Sequence, residues 1–575
     1  MADTALNLSR REFLSVAAAT TSLMGAGGQV ARAASGQKIG LDDLLRFDAK
    51  GQISLLHMTD CHAQLNPLYY REPEINLGVG DMAGRPPHLT GTDLLKAYGV
   101  KPGTFGAYAL AATDFEALAQ EYGRVGGMDR MATLVAAIRA ERGPSNVLFL
   151  DGGDLLQGSY TALKTRGEDM IRVGEALGLD ATTGHWEFTL GADRVVELYG
   201  DKRRTGFTKT QFLASNVRDT DFEETVFKGW KMFERGGHLI GVIGQAFPHT
   251  AIANPRWMVP KWWFGIRERA LARTVEHVRK SGAELVVLLS HNGFDVDRKI
   301  AERVTGIDVI LSGHTHDAIP RPVQVGRTLI IASGSHGKFL SRLDVALRGG
   351  EIREWSFSLI PVLTQAIPAD PVMGKVVEKI RAPHAAMLGT ELARTQTALY
   401  RRGNFGGTLD DLICDALMAE QDAEIAFSPG FRWGGALVAG DPVTWEDVYN
   451  ATAITYPNVY RIPIRGAFLK TVLEDVADNL FNPDPYYQQG GDMVRVGGMS
   501  FTIRPDAPMG KRISDLTLLR TGQPIDSSHT YTVAGWGSVN EGIEGPAIWD
   551  VVAGHLRSHK VVGGPARNSV RVVRT

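Results

Sequence analysis

The sequence predicts a mixed α/β protein built as two domains. Three observations carry that expectation: continuous Val/Ile/Leu runs alternate with helical stretches from Gln52 to about Pro361, the texture changes near Asp370, and a second alternation of helix and strand runs on to Thr575. Apolar runs without polar alternation indicate strands covered on both faces, which is the layered α/β arrangement. A chain of 575 residues, 44% hydrophobic and 22% charged, also exceeds what one hydrophobic core accommodates.

Taken in order, residues 1–33 hold Arg10 and Arg11 ahead of an Ala-rich, mildly apolar run and an "ARA" triplet. That pattern is a twin-arginine export signal, and the run is too short and too Gly-rich to span a bilayer. The expected location is the periplasm, with no membrane attachment after export. The first domain spans residues 50–365, with strands read from "QISLLHMTD", "SNVLFLDGGD", "HLIGVIGQ", "AELVVLLSH", "IDVILSGHTH" and "TLIIASGSH". Helices between them are read from "GGMDRMATLVAAIRAER", "EDMIRVGEALGL" and "IRERALARTVEHVRKSG". Within this domain residues 64–123 form an insertion rich in Pro, Gly and Tyr with little periodicity, expected to act as an irregular lid or docking surface. Residues 366–389 form a linking helix opened by Asp370-Pro371 and interrupted at Pro383. Residues 390–575 make a second α/β unit, with strands such as "VYRIPI" and "TYTVAG" around the helix "GAFLKTVLEDVADNL".

The formal net charge is −2, from 62 Lys+Arg against 64 Asp+Glu. No whole-chain field favours nucleic acid or an anionic membrane, so any anion recognition is local. Two cysteines, Cys61 and Cys414, exclude a disulfide framework.

The chemistry collects at strand ends. "MTDCH" supplies Asp60 and His62, "LDGGD" Asp154, "LLSHNG" His291, and "LSGHTH" His314 and His316. Open α/β sheets bind ligands at the carboxyl ends of their strands. Asp60 with His62, and His314 with His316, are two residues apart, which in an extended strand end places each pair on one face. Carboxylates with imidazoles suit borderline divalent metals, and six such groups exceed one tetrahedral site. Two cations sharing a bridging carboxylate are the economical arrangement.

In this order the motifs resemble those of the calcineurin-like metallophosphoesterases, and within them the two-domain 5′-nucleotidase family, whose series runs DxH, GGD, GNHE, H, GHxH. The resemblance extends through "RRGNFGGTLDDLICDAL", "AFSPGFRWGG", "ITYPN" and "YTVAGWG". It implies an N-terminal four-layer α/β/β/α sandwich and a C-terminal 5′-nucleotidase-type substrate-binding domain. It also implies one metal site from Asp60, His62 and His316, another from His291 and His314, and Asp154 as the bridge. The fourth block is here Gly184-His185-Trp186-Glu187. His185 stands where the family keeps an asparagine ligand and offers a nitrogen donor instead. Trp186 stands where the family keeps a histidine that assists phosphate transfer, and an indole cannot act as acid or base. Arg401 or Arg402, and Arg432, match the family's anion clamp; Tyr456 and Trp536 take the places of its base-stacking aromatic pair. Glu187 is expected to hold a ligand histidine in its tautomer. Cys61 is expected to pack, pointing away from its neighbours' face.

"TDCHAQL", "GHWEF" and the twin-arginine signal together resemble the thiosulfohydrolase family of the periplasmic Sox system. That resemblance implies removal of a sulfonate, as sulfate, from a cysteine S-thiosulfonate on the SoxYZ carrier complex, with two divalent ions, Mn2+, as cofactors. Asp154, His185 and Arg432 are the expected catalytic residues; Arg401, Arg402, Arg432, Tyr456 and Trp536 are the expected substrate contacts. Tyr456, Trp536 and the insertion are expected to wall a channel for the carrier's peptide, and the enzyme is expected to be a monomer. The competing expectations are a periplasmic 5′-nucleotidase or cyclic-nucleotide phosphodiesterase, and a non-catalytic binding protein with a structural metal cage.

Overall fold

The computed structural model describes residues 39–200, 208–567 and 569–574. The expected export signal over residues 1–33 lies outside the described residues. Two six-stranded sheets dominate the first half. One runs in the order Glu351–Pro361, Phe339–Arg348, Ile53–Met58, Val147–Asp151, Ala181–Thr182, Gln211–Phe212; the other runs Val323–Val325, Thr328–Ala332, Val309–Ser312, Leu285–Ser290, His238–Gln245, Trp230–Arg235. Ile53–Met58 pairs in parallel with Val147–Asp151, and His238–Gln245, Leu285–Ser290 and Val309–Ser312 are parallel in the other sheet.

Every residue of Ile53–Met58, Val147–Asp151, Leu285–Ser290 and Val309–Ser312 is buried. Side chains alternate across each strand, so the continuous apolar runs divide between two cores. Ile53, Leu55, Leu148 and Leu150 meet Leu285, Val287, Leu289, Val309 and Leu311 between the sheets. Leu56, Met58, Val147 and Phe149 instead face a layer of helices that includes Met128–Arg142 and Glu168–Leu177. Val286, Leu288 and Ile310 face helices Glu268–Lys280 and Phe294–Arg303. The four-layer α/β/β/α sandwich is therefore present as expected.

The linking helix is Pro371–Arg381, where Asp370 accepts from Val372 N at 3.0 Å and Met373 N at 2.7 Å and Pro371 occupies the first turn. Beyond it, a four-stranded sheet runs Val459–Arg465, Thr530–Trp536, Ile425–Ser428, Arg495–Gly497, and a second runs Gln523–Pro524, Ile513–Leu518, Met499–Ile503, Val570–Val572. Helices Thr408–Gln421, Gly466–Leu480 and Ile548–His559 pack on these strands, and Cys414 is buried among them.

The insertion departs from expectation. It contains helices Gly91–Tyr98, Phe105–Leu110 and Phe115–Tyr122, whose Leu95, Tyr108, Phe115 and Leu118 join the core beneath the first sheet. Helices of about two turns offer too few repeats for periodicity to register. Its irregular part crosses to the second half of the chain: Tyr69 pairs with Ala436, Leu77 N donates to Asn404 Oδ1 at 2.6 Å, and Arg71 lies 3.9 Å from the centre of the Tyr400 ring. Among the described residues, no helix is long and apolar enough to cross a membrane.

Candidate metal centre

Loops leaving five strands bring the chemistry together. Asp60, His62, Asp154 and His316 form one group of donors, and Asp154, His185, His291 and His314 form another; within each group the donor atoms lie within 4.8 Å of one another. All seven residues are buried, and Asp154 belongs to both groups. His291 Nε2 lies 3.1 Å and His185 Nδ1 3.3 Å from Asp154 Oδ2, while His62 Nε2 lies 3.0 Å from His316 Nε2.

The pairing of Asp60 with His62, and of His314 with His316, has a different origin from the one expected. The strands stop at Met58 and Ser312, and φ is positive at Asp60 (51°), His62 (46°), Asp154 (56°), His314 (76°) and His316 (59°). Left-handed turns, not strand alternation, fold these donors onto one centre. Such backbone is uncommon outside glycine and is tolerated best by Asp, Asn and His. Close approach requires glycine at several positions here; a Cβ on Gly153 would meet His291 Nδ1 at 2.9 Å, and one on Gly313 would meet Thr59 Oγ1 at 2.5 Å.

Surrounding groups hold the donors in place. His291 Nδ1 donates to Gly152 O at 2.6 Å, His314 Nε2 donates to Gln489 O at 3.0 Å, and His62 Nδ1 donates to Gln157 O at 3.3 Å, leaving the other ring nitrogen of each for the centre. Asp60 accepts from Thr59 Oγ1 at 2.6 Å and from His314 N; Asp154 Oδ1 accepts from Trp186 N at 2.8 Å. Glu187 corrects the expectation made for it. Its carboxylate accepts from Leu155 N (2.7 Å), Leu156 N (3.3 Å) and His185 N (2.7 Å), so it ties the backbones of two donor loops and touches no ligand ring. Cys61 is buried in the core beneath the first sheet.

The electrostatics fit a pair of cations. Burial pushes Asp60 up to about 7 and pulls His62 down to about 4; it also holds His314 and His316 well below the usual imidazole range. Against its own burial, His291 is pushed up to about 10 by Asp154 and Asp60. Asp154 and Asp60 thus draw positive charge to the position of His291, while burial keeps His62, His185, His314 and His316 neutral with lone pairs to offer. His185 Nε2 and His316 Nδ1 have no hydrogen-bond partner. Buried nitrogen and oxygen donors short of positive charge, in two groups sharing one carboxylate, suit two borderline divalent ions.

Arginines and aromatics surround the centre unequally. A cleft beside it is lined by Arg402, Arg432, His314, Asn404, Asp492 and His88. Arg432 Nη2 donates to His314 O at 2.7 Å, whereas Arg402 Nε is buried without a partner. Arg401 does not reach the cleft; it is 1% exposed, pairs with Asp410 at 2.9 Å and donates to Ala451 O at 2.5 Å. Trp186 packs against Trp433 (4.8 Å between ring centres), Phe431 (5.1 Å) and Tyr456 (6.3 Å). Tyr456 is 7% and Trp536 2% exposed, and Trp536 Nε1 donates to Ser428 Oγ at 2.9 Å. The two rings expected to wall a channel are closed into this aromatic packing. His336 was absent from the expected set, yet its ring lies 5.5 Å from that of His62. The signal was available, since "IIASGSH" ends a strand in Gly-Ser-His much as "LSGHTH" does.

Residues 388–552 match the family model described as 5′-nucleotidase, C-terminal domain. The chain is 24% identical over 447 residues to 5′-nucleotidase of Bos taurus, covering 69% of this chain and 73% of that protein. It is 26% identical over 467 residues to Protein 5NUC of Lutzomyia longipalpis, covering 71% and 77%. Among solved structures it is similar to the sulfate thiohydrolase SoxB of Thermus thermophilus in complex with glycerol, at 38% identity and TM-score 0.87, covering 92% of this chain and 97% of that one. A 5′-nucleotidase precursor from the same organism shares the fold at 20% identity and TM-score 0.69, covering 91% and 99%.

Proposed function

The chain belongs to the family of the sulfate thiohydrolase SoxB, within the wider 5′-nucleotidase family, and is a metal hydrolase; from that premise we propose that it hydrolyses a cysteine S-thiosulfonate presented by a carrier protein. Water adds to the terminal sulfonate sulfur and the S–S bond breaks. The bonding pair leaves with the carrier's sulfur as a persulfide, and sulfate and two protons are released. The SoxYZ complex is the carrier in this reading, manganese the metal, and the periplasm the location, reached through the signal in residues 1–33.

The single observation behind this substrate is Trp186. An alkoxide leaving a phosphate monoester is strongly basic and gains from a proton donor, whereas a persulfide departs as the anion. Trp186 donates its backbone N–H to Asp154, and its indole, 5.3 Å from the ring of His185, is packed among Trp433, Phe431 and Tyr456. An indole N–H has no accessible acidity. One cation would be held by Asp60, His62, Asp154 and His316, the other by Asp154, His185, His291 and His314. When bound, such a pair supplies Lewis acidity and makes water a competent nucleophile near neutral pH. Arg402 and Arg432 would hold the sulfonate oxygens and orient the sulfur for in-line displacement. Glu187 and Gln157 keep the donor loops in register. A nucleotide reading lacks support at Tyr456 and Trp536, whose rings are buried and present little face to a base.

The test is sulfate release from the carrier thiosulfonate beside phosphate release from AMP, for the native enzyme and Trp186→His. The native enzyme is expected to favour the thiosulfonate by at least about a hundredfold, the scale that one general acid contributes, and Trp186→His to gain phosphomonoesterase activity. Equal turnover of AMP by the native enzyme would sink the proposal.

A further inference from the structure

We infer that His336 is a positioning residue that fastens the loop carrying Arg432 and Trp433 to the loop carrying Asp60. Its backbone N–H donates to Asp60 O at 2.9 Å. Its buried imidazole accepts at Nε2 from Gly434 N at 3.1 Å, and its Nδ1 donates to Ser335 Oγ at 2.8 Å. Ser335 Oγ in turn donates to Tyr70 Oη at 3.0 Å. A ring nitrogen that accepts an N–H holds a lone pair, so the proton of His336 sits on Nδ1 and the chain of bonds has one direction. Both nitrogens are engaged, and His336 belongs to neither donor group. It acts through its neighbours.

The backbone at His336 supports an anchoring role: its φ is 57°, a conformation uncommon outside glycine that surrounding contacts must maintain. The His336 ring is wedged between Tyr70 (4.6 Å), His62 (5.5 Å) and His316 (5.8 Å), which gives the anchor a fixed base. The loop over residues 432–434 then meets the first domain through hydrogen bonds from Arg432 to His314 O and Thr315 O and from Gly434 N to His336, beside the packing of Trp433 on Trp186 and His62. Tyr70 of the insertion, Ser335 and His336 of the first domain, and Gly434 of the second are thereby joined in one hydrogen-bonded line. Replacing the acceptor at His336 would orphan a buried amide and release one of the hydrogen bonds that hold the Arg432 loop to the first domain. Loss of one such bond shifts the loop's equilibrium by about tenfold, and apparent substrate affinity falls with the fraction of loop left in position.

This inference rests on reading Arg432 as a contact of the substrate anion, so the experiment separates the two. His336→Phe keeps an aromatic ring without an acceptor, and His336→Gln restores an acceptor oxygen; both meet the same positive φ. Metal content, amide exchange across residues 430–436, and kcat and KM for sulfate release are measured for each, with Arg432→Ala alongside. Expected for His336→Phe are full metal content, faster exchange over 430–436, and a KM raised by at most about tenfold with kcat within about twofold; His336→Gln reverses most of the change. The inference is overturned by unchanged exchange in His336→Phe, by faster exchange with an unchanged KM, by equal effects of Phe and Gln, or by loss of metal. An unchanged KM in Arg432→Ala would instead remove the role given to Arg432, while the exchange data still decide whether His336 is the anchor.

Discussion

Glu187 shows how much one carboxylate does without touching a cation. It is buried and accepts three backbone N–H groups, from His185, Leu155 and Leu156, in loops that also carry the donors Asp154 and His185. Glu187→Gln puts an amide N–H₂ against at least one of those donors. An orphaned buried donor costs about 1–3 kcal/mol, so this variant is expected to unfold about 2 kcal/mol more easily and to bind metal more weakly than the native enzyme. Denaturant titration and metal analysis measure the two effects, and native stability in Glu187→Gln would mean the loops hold themselves. Arg401 and Arg402 make the complementary point. They are adjacent in sequence, yet Arg401 braces Asp410 while Arg402 lines the cleft.

At the scale of elements, a titratable pair helps to hold the irregular part of the insertion to the first domain, beside the helices that join its core. His88 Nε2 lies 3.0 Å from Asp295 Oδ2 in the first turn of helix Phe294–Arg303, and His88 Nδ1 lies 3.3 Å from Asn76 Oδ1. Burial works against the charged ring, but the hydrogen bond and charge of Asp295 prevail, so His88 is raised above its ordinary value. A histidine raised in the folded state contributes stability that is complete below about pH 6.5, its unfolded value, and is lost as pH rises through the folded value. Protease nicking within residues 64–123 is therefore expected to increase from pH 6 to pH 8.5 in the native enzyme. In His88→Gln nicking should be high at both pH values. A native enzyme equally resistant throughout would show that other contacts carry the attachment, the Leu77–Asn404 bond foremost among them.

For the whole molecule, the arrangement separates an apolar scaffold from a centre whose donors could hold two cations. The core between the sheets, from Ile53 and Leu55 to Leu329 and Ile331, has no donor residue in it. The centre gathers two carboxylates and five imidazoles, with left-handed backbone at five of the seven. Chelation is accordingly expected to lower the melting temperature by several degrees while leaving far-UV circular dichroism unchanged, because binding to the folded state alone stabilises by mass action. Re-addition of Mn2+ should restore the loss. Collapse of secondary structure on chelation would mean that the scaffold depends on the centre.

What the sequence determined by itself was the part governed by local pattern and by chemical type. Buried strands appear as unbroken apolar runs because both of their faces are covered, and Asp60, His62, Asp154, His291, His314 and His316 stand out because metal-binding side chains follow such runs. His185 and Trp186 were legible only against a family pattern, since nothing in "GHWEF" distinguishes a donor from a packed ring. Tertiary structure alone decided where side chains point once a strand has ended. Left-handed turns at Asp60 and His314 replaced the alternation expected there, Tyr456 and Trp536 closed onto Trp186, and His336 met Gly434 from 98 residues away. Beyond a strand end, the dihedrals answer to long-range hydrogen bonds and packing, and those contacts have no periodicity that a sequence can display.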